Sequence, residues 1–510
     1  MSGGHYSLHK ARRSLLHFML GKVGAALLGI AALLLSVRVL DASVFAAYVA
    51  LVALCEMAYL ISGLGLSTMA QRYVTEYRLR LAPAAFPRFV WRLQLRRLGY
   101  SGGFVLLLWP LAGYLLPVLH LHTLHAELAW LAWVLVLGNQ LRFCDEVMAS
   151  LLMQGSAQGS VLLRNAVRLG GYGLVWHGSL SASARSVVMI ELCLLLVSLC
   201  WSLAALARYL QHSSRQPAAA NQLASYHNAD AAAVSRRFYL VQCVGQIYGS
   251  NMLLLLTTRL LGAAGTAALG FAQSLTDMVR NYLPAQLLLG WVRPLMVSRY
   301  VENGDYAQLQ RYANLILKAN LMSLLPAAVL MLVCGDTLGH WLSGGRYPQM
   351  GSLLATLLCL LMLQTAHLVL SLVTLTIERA QANVRATFCA CLALPLLPLL
   401  AQLAGISGVV LTLCLSELLW CGTVLLLLRR DGLAFHFDWY GLGKLLLLGS
   451  LLLLLLGGVV PLWPAGIASQ LLLCAAGMLL FLAAATRLKP LNGGERDILG
   501  KLLPARFLLW

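Results

Sequence analysis

Apolar residues run along this chain in blocks, not in alternation. From near residue 20 onward, hydrophobic stretches follow one another with short polar breaks between them. A helix needs about 20 apolar residues to cross the hydrocarbon of a bilayer, where every backbone N–H and C=O must be satisfied inside the segment. The pattern predicts about fourteen such helices, near 20–40, 44–66, 99–118, 127–149, 159–177, 186–206, 238–258, 266–290, 314–334, 350–375, 384–402, 406–428, 444–462 and 466–486. No period-two alternation appears, so a transmembrane β-barrel is excluded. The first apolar run is too long for a signal-peptide core and has no small-x-small cleavage site. The longest connections, 67–98 and 207–237, are too short to form domains.

Composition agrees with this pattern. Of the 510 residues, 60% are hydrophobic and 11% charged, against about a quarter charged in soluble domains. The net charge of +19 would suit nucleic acid, but its distribution does not. With both termini in the cytoplasm, nearly all Lys and Arg fall on the cytoplasmic side, as the positive-inside rule requires. Arg38, Arg185, Arg259 and Arg346 fall outside, and Arg142, Arg168 and Arg280 within spans. The segment "QRYVTEYRLRLAPAAFPRFVWRLQLRR" supplies seven of the cytoplasmic arginines, Arg78 and Arg97 among them. Contact with anionic lipid accounts for the excess, and nucleic acid is not expected as a partner. The twelve cysteines lie mostly in apolar runs without CxxC spacing, which points to packing and not to metal.

One phrase is written twice. "RVLDASVFAAY" at 38–48 returns as "RLLGAAGTAAL" at 259–269, each straight after an apolar run, with Arg38 and Arg259 standing 221 residues apart. The same shift carries Arg72 onto Arg293 and the outside loop 119–126 onto 340–347. The expected organisation is therefore two copies of one six-helix bundle. These are an N-terminal lobe over 1–206 and a C-terminal lobe over 238–428, joined by a cytoplasmic linker over 207–237. Spans 13 and 14 and a cytoplasmic tail complete the chain over 429–510. Six is even, so the copies share one orientation and an axis along the membrane normal.

These residues resemble the oligosaccharide flippases of the multidrug/oligosaccharidyl-lipid/polysaccharide exporter superfamily. Arg38, Leu40, Phe45 and Tyr48 stand where that family writes R-x-L and an F-G-x-Y-like start to its second span. The exit "GLGLSTMAQRYVTEY" ends in Arg72 in a similar way, and "LGHWLSGGRYPQMGSLLA" is similar to the loop before the tenth span. Ala46 departs from the pattern, which prefers glycine there. The resemblance implies a polytopic all-α fold of two pseudo-symmetric six-helix lobes plus two extra helices. It further implies a cavity that opens to one side at a time, and transport of lipid-linked sugars, or of drugs in exchange for cations, in the bacterial inner membrane.

Charges inside spans carry the sharpest chemical information, because each costs a few kcal/mol unless it faces a cavity or a partner. Gln273, Asp277, Arg280, Asn281 and Pro284 share one face of span eight. Span four offers Asn139, Arg142 and Glu146 with Asp145 alongside, and span five offers Arg164, Arg168 and Tyr172. Span ten offers Gln364, His367, Ser371, Thr374 and Glu378. Arg142, Arg168 and Arg280 are the candidate cavity cations for a lipid diphosphate, since a guanidinium stays charged and its planar fork pairs two phosphate oxygens. Glu56, Asp145, Glu146 and Asp277 are candidates to pair these arginines or to bind a coupling proton or sodium ion. Structural ion pairs, Arg142–Glu146 and Asp277–Arg280, are the plainer alternative. His120, His122 and His125 read as a solvated loop, Arg38 and Arg259 as headgroup contacts, and Glu191 and Glu417 as interfacial.

No catalytic set, cofactor motif or P-loop is present, so neither an enzyme nor a direct ATPase is expected. Two readings remain. One is a flippase for an isoprenoid-diphosphate-linked oligosaccharide, working with other polysaccharide-assembly proteins. The other is a cation-coupled multidrug exporter on the same fold, which should carry acids in excess within its spans.

Overall fold

The computed structural model describes residues 8–118, 125–215, 239, 242–284, 286, 300, 304–347, 350–377, 379–464 and 466–502. Arg293, His120, His122, Glu378 and most of the 207–237 connection lie outside them, as does the side chain of Arg72.

The described residues form helices joined by short turns. They are α1 (Leu8–Val39), α2 (Ala42–Ser62), α3 (Leu66–Arg80), α4 (Ala85–Val118), α5 (Leu128–Ser150), α6 (Gln154–Trp176), α7 (Ala184–Ser214) and α8 (Ser250–Asn281). There follow α9 (Tyr306–Ser343), α10 (Met350–Thr376), α11 (Ala380–Ala390), α12 (Leu397–Arg430), α13 (Trp439–Val459), α14 (Ile467–Leu488) and α15 (Gly493–Leu502). All fourteen expected spans have a helical counterpart. The seventh and eighth share α8 and the segment just before it, and the eleventh and twelfth run through α11 and α12, each pair broken at a glycine. Gly262 (φ 70°) and Gly405 (φ 57°) hold left-handed conformations that a side chain would strain.

Nine of the described segments are long and apolar enough to span a membrane by length and composition alone. α5 and α6 fall outside that set because polar residues interrupt their apolar character. Those are the helices that carry Arg142 and Arg168.

The breaks keep the register of the repeat. Gly262 stands 221 positions after Asp41, which caps α2, and Tyr306, the start of α9, stands 221 after Ala85, the start of α4. The Gly405 break stands 221 after Ala184, where α7 begins. Ala46–Ala47 and Ala267–Ala268 are buried in both copies.

The expected connection over 67–98 is not a loop. α3 fills its first part and the long α4 begins at Ala85, packing Leu66, Met69, Val74, Tyr77, Phe86 and Phe89 into one apolar cluster with α5 and α7. Arg78 and Arg97, expected to be cytoplasmic charges, are buried here. Arg78 donates from Nε to Tyr209 Oη at 3.3 Å, and Arg97 donates from Nη2 to the Tyr59 carbonyl at 2.8 Å.

By its contacts the chain divides into two compact units, Met1–Ala267 and Ala268–Trp510. In unit 1, α1 lies on α6, with Gly21 and Gly24 against Gln158 and Leu162 and with Asn165 Nδ2 donating to the Ala25 carbonyl at 2.7 Å. In unit 2, α9 and α10 pack most extensively. A Cβ on Gly335 would stand 2.5 Å from Gly351 Cα, and one on Gly351 would stand 2.7 Å from the Met331 carbonyl oxygen. Gly335 and Gly339 form the small-xxx-small spacing by which helix backbones approach in a bilayer.

α13 and α14 bury Leu445, Leu452, Leu456, Leu473 and Phe481 against Leu330, Cys334 and Leu338 of α9. Their outer faces, including Leu446, Leu454, Leu472 and Leu479, stay exposed, as lipid contact requires. At the end of this pair, Lys318 of α9 is fully buried. Its Nζ donates to Glu495 Oε2 at 2.7 Å, to the Pro490 carbonyl at 3.1 Å and to Asp438 Oδ2, tying α15 to α9. A Cβ on Gly441 would strike this group, 2.7 Å from Lys318 Cε.

Candidate functional site: an ion-paired cavity in unit 1

A cavity of about 590 Å³ opens between α2, α5, α6 and α7, within the size range of small-ligand sites. Helical spacing places its charges. Glu56 and Tyr59 lie three apart on α2, Asn139, Arg142 and Glu146 lie at i, i+3 and i+7 on α5, and Arg164 and Arg168 lie one turn apart on α6. α7 contributes Glu191.

Each arginine is held differently. Arg168 forms a fork with Glu191, Nε to Oε1 and Nη2 to Oε2 both at 2.9 Å, the strongest geometry for this pair. Only 25% of the Arg168 side chain and 8% of that of Glu191 are exposed. Its guanidinium also stands 5.9 Å from the Tyr48 ring, which meets Tyr172 edge-on. Arg164 donates from Nη2 to Asp145 Oδ2 at 2.9 Å, and Ser202 donates to the other oxygen at 3.0 Å. These two pairs bolt α6 to α5 and α7. Arg142 pairs with Glu56, and here 42% and 37% of the two side chains are exposed. It is the most exposed of the three pairs.

Tyr59 is the hub beneath Arg142. Its ring centroid lies 4.5 Å from the Arg142 guanidinium and 4.4 Å from that of Arg97, both cation–π distances. Its hydroxyl is 2.9 Å from Ser67 Oγ. Arg97 is fully buried, and its Nε and Nη1 have no hydrogen-bond partner among the described residues, nor has Glu146 Oε2.

Several expectations change. Arg142 pairs across helices with Glu56 and not along α5 with Glu146. Glu191 is not interfacial but buried against Arg168. The cavity is not cationic: three arginines face four carboxylates, because an arginine left unpaired in a bilayer costs more than one neutralised by a neighbour. Arg97 and Tyr59 were missed. Gln94, Arg97 and Ser101 share one face of α4, and that spacing is the signal that marks Arg97.

Unit 2 holds a smaller cavity of about 380 Å³ whose lining includes Arg280, Asn320, Gln364, His367, Ser371 and Glu417. Arg280 donates to Gln364 Oε1 and lies 3.4 Å from Asp277 within α8, the pairing expected from spacing. Glu417, expected at an interface, meets His367 Nδ1 at 2.7 Å, and the imidazole stacks on Trp420 with centroids 3.6 Å apart. Of the remaining candidates, Arg38 and Arg259 are exposed.

A helical bundle of this length has counterparts among solved structures. The fold is that of the MurJ and MATE transporters. The lipid II flippase MurJ in an inward closed conformation matches with a TM-score of 0.62 at 14% identity, covering 92% of this chain and 98% of that one. An inward-facing multidrug resistance MATE family transporter of the MOP superfamily matches at 0.55, with 12% identity and 80% and 94% coverage. The Vibrio cholerae MATE transporter VcmN matches at 0.54, with 13% identity and 84% and 98% coverage. No protein-family model matches the sequence, and no curated protein matches it by sequence. At these identities the likeness establishes the fold alone.

Proposed function

We propose that the chain is a flippase that moves an isoprenoid-diphosphate-linked oligosaccharide from the cytoplasmic to the periplasmic leaflet of the bacterial inner membrane, for surface-polysaccharide assembly. The observation that carries this reading is the half-exposed Arg142–Glu56 pair in a cavity whose other arginines are locked. A diphosphate displaces the Glu56 carboxylate and takes the Arg142 fork through two oxygens, while Arg164 and Arg168 supply a fixed positive field. Arg168 therefore acts through its field and not by contact. Arg280, in its own cavity, offers a second guanidinium held by Gln364 and Asp277. The carboxylates that balance the empty cavity lower the cost of returning it through the membrane unloaded.

In this scheme the two lobes, 1–206 and 238–428, alternate access by rocking, with both termini cytoplasmic and spans 13 and 14 appended. Outward movement of an anionic headgroup gains about 2.3 kcal/mol per charge per 100 mV in a negative-inside cell. Proton or sodium exchange can supplement that bias.

The four carboxylates of the same cavity favour a second reading, a cation-coupled multidrug exporter in which an organic cation takes Glu56 from Arg142. Ligand-induced stabilisation of the purified protein separates the two. Prenyl diphosphates should raise the melting temperature of the wild type and not of Arg142→Ala. Stabilisation by lipophilic cations alone, lost in Glu56→Gln, would replace the flippase with the exporter.

A further inference from the structure

Unit 1 contains a second cavity, of about 500 Å³, beside the charged one. The side chains lining it are hydrophobic, among them Leu54, Met57 and Ala58 of α2, Leu108, Trp109 and Ala112 of α4, and Leu131 of α5, and the Trp109 indole N–H is the one hydrogen-bonding side-chain group among them. Along α2 the two cavities divide the helix between them. Leu54, Met57 and Ala58 face the apolar one, whereas Cys55, Glu56 and Tyr59 face the charged one. Leu51 is a wall of both. An ion or a sugar finds at most the single Trp109 indole N–H in the recess and would lose its hydration largely without compensation. The occupant that suits the recess is hydrocarbon.

We propose that this recess seats the first isoprene units of the lipid whose diphosphate occupies the charged cavity, the chain passing over Leu51. The proposal rests on the flippase reading. The adjacency of the two cavities, which share Leu51 as a wall, and the opposite character of their linings match one molecule with an anionic head and a branched hydrocarbon tail. A phospholipid acyl chain would fill the recess equally well on shape, but it would not couple the recess to Arg142.

The test compares dimethylallyl diphosphate with farnesyl diphosphate, which share a headgroup and differ by two isoprene units, binding to the full-length protein in nanodiscs. Burying that extra hydrocarbon should favour farnesyl diphosphate by at least about tenfold over its partition into empty nanodiscs. Leu108→Trp and Ala112→Trp, which fill the recess, should remove this gain while leaving dimethylallyl diphosphate affinity unchanged. Leu107→Trp, on the exposed side of α4 (76% exposed), should leave both unchanged. An undiminished tail-length gain in the filled variants overturns the tail seat and leaves the diphosphate site standing. Failure of both diphosphates to bind the wild type, or equal binding to Arg142→Ala, overturns the diphosphate site and the tail seat with it. Should the tryptophan variants misfold, a diazirine-tailed farnesyl diphosphate decides on the wild type. Labelling within 104–116 or 51–61, competed by farnesyl diphosphate, supports the seat. Labelling elsewhere, or labelling of these segments by a photoactivatable phosphatidylglycerol that farnesyl diphosphate fails to displace, overturns it.

Discussion

Replacing Glu191 with alanine leaves the Arg168 guanidinium in place and removes its partner. Both fork bonds, each 2.9 Å, are lost at once, and three-quarters of the Arg168 side chain remains shielded from solvent. Removing one member of a buried ion pair costs about 3–5 kcal/mol, because the survivor is left charged and uncompensated. At about 2 °C per kcal/mol for a unit of this size, the apparent Tm should fall by about 6–10 °C. The assay is a thermal melt of the purified protein at one scan rate, with Arg168→Met and the double variant Arg168→Met/Glu191→Leu alongside. The double variant should recover most of the loss, since two apolar residues leave no charge stranded. A Glu191→Ala protein melting within about 1 °C of wild type, or a double variant as unstable as the two single losses added together, would refute the lock and return Arg168 to direct substrate contact.

Gly351→Ala places a Cβ 2.7 Å from the Met331 carbonyl oxygen and should cost about 1–3 kcal/mol of stability, read as a lower Tm, whereas Gly443→Ala, whose Cβ meets nothing within 4 Å, should not. Burial alone would raise the pKa of Asp438. The hydrogen bonds from Lys318, the Gly441 N–H and Asn492, with the Lys318 charge, outweigh burial and hold it below the ordinary carboxylate value. Its contribution is therefore complete above the unfolded carboxylate pKa of about 4 and fades as pH falls below it. Hydrogen exchange over 493–502 should accelerate on that acid side, and Asp438→Asn should flatten the dependence. Arg97→Met should lower Tm modestly or not at all, because two of its nitrogens lack partners in the buried site, but should alter binding of prenyl diphosphates through Tyr59.

The membrane class and the spans were legible in the sequence because they rest on apolar length. The cavity was legible in part. Arg142, Arg168, Asp145 and Glu146 declared themselves as charges inside spans, whereas Arg280, expected in the same cavity, lines a separate one in unit 2. Glu56 was among the expected pairing acids, but which acid meets which arginine was not legible. Glu56 lies 86 residues from Arg142 and Glu191 lies 23 from Arg168 on another helix, and helical spacing says nothing about which neighbour stands across the groove. Arg97 was hidden by its company. Beside the exposed Arg88, Arg92 and Arg96, which the positive-inside rule explains, Arg97 carries no separate mark except the Gln94–Ser101 stripe it shares. α3 was hidden for the opposite reason, being too polar to read as a span and too arginine-rich to read as core.

Transport itself is the most direct test. The protein is reconstituted in liposomes with a labelled isoprenoid-diphosphate oligosaccharide confined to the inner leaflet, and its exposure to an external lectin is timed. Exposure should be accelerated by the wild type, abolished in Arg142→Ala, and retained in Arg168→Met/Glu191→Leu. No acceleration by the wild type with several lipid-linked sugars, together with cation-driven dye efflux from the same vesicles, would contradict the flippase and establish the exporter in its place.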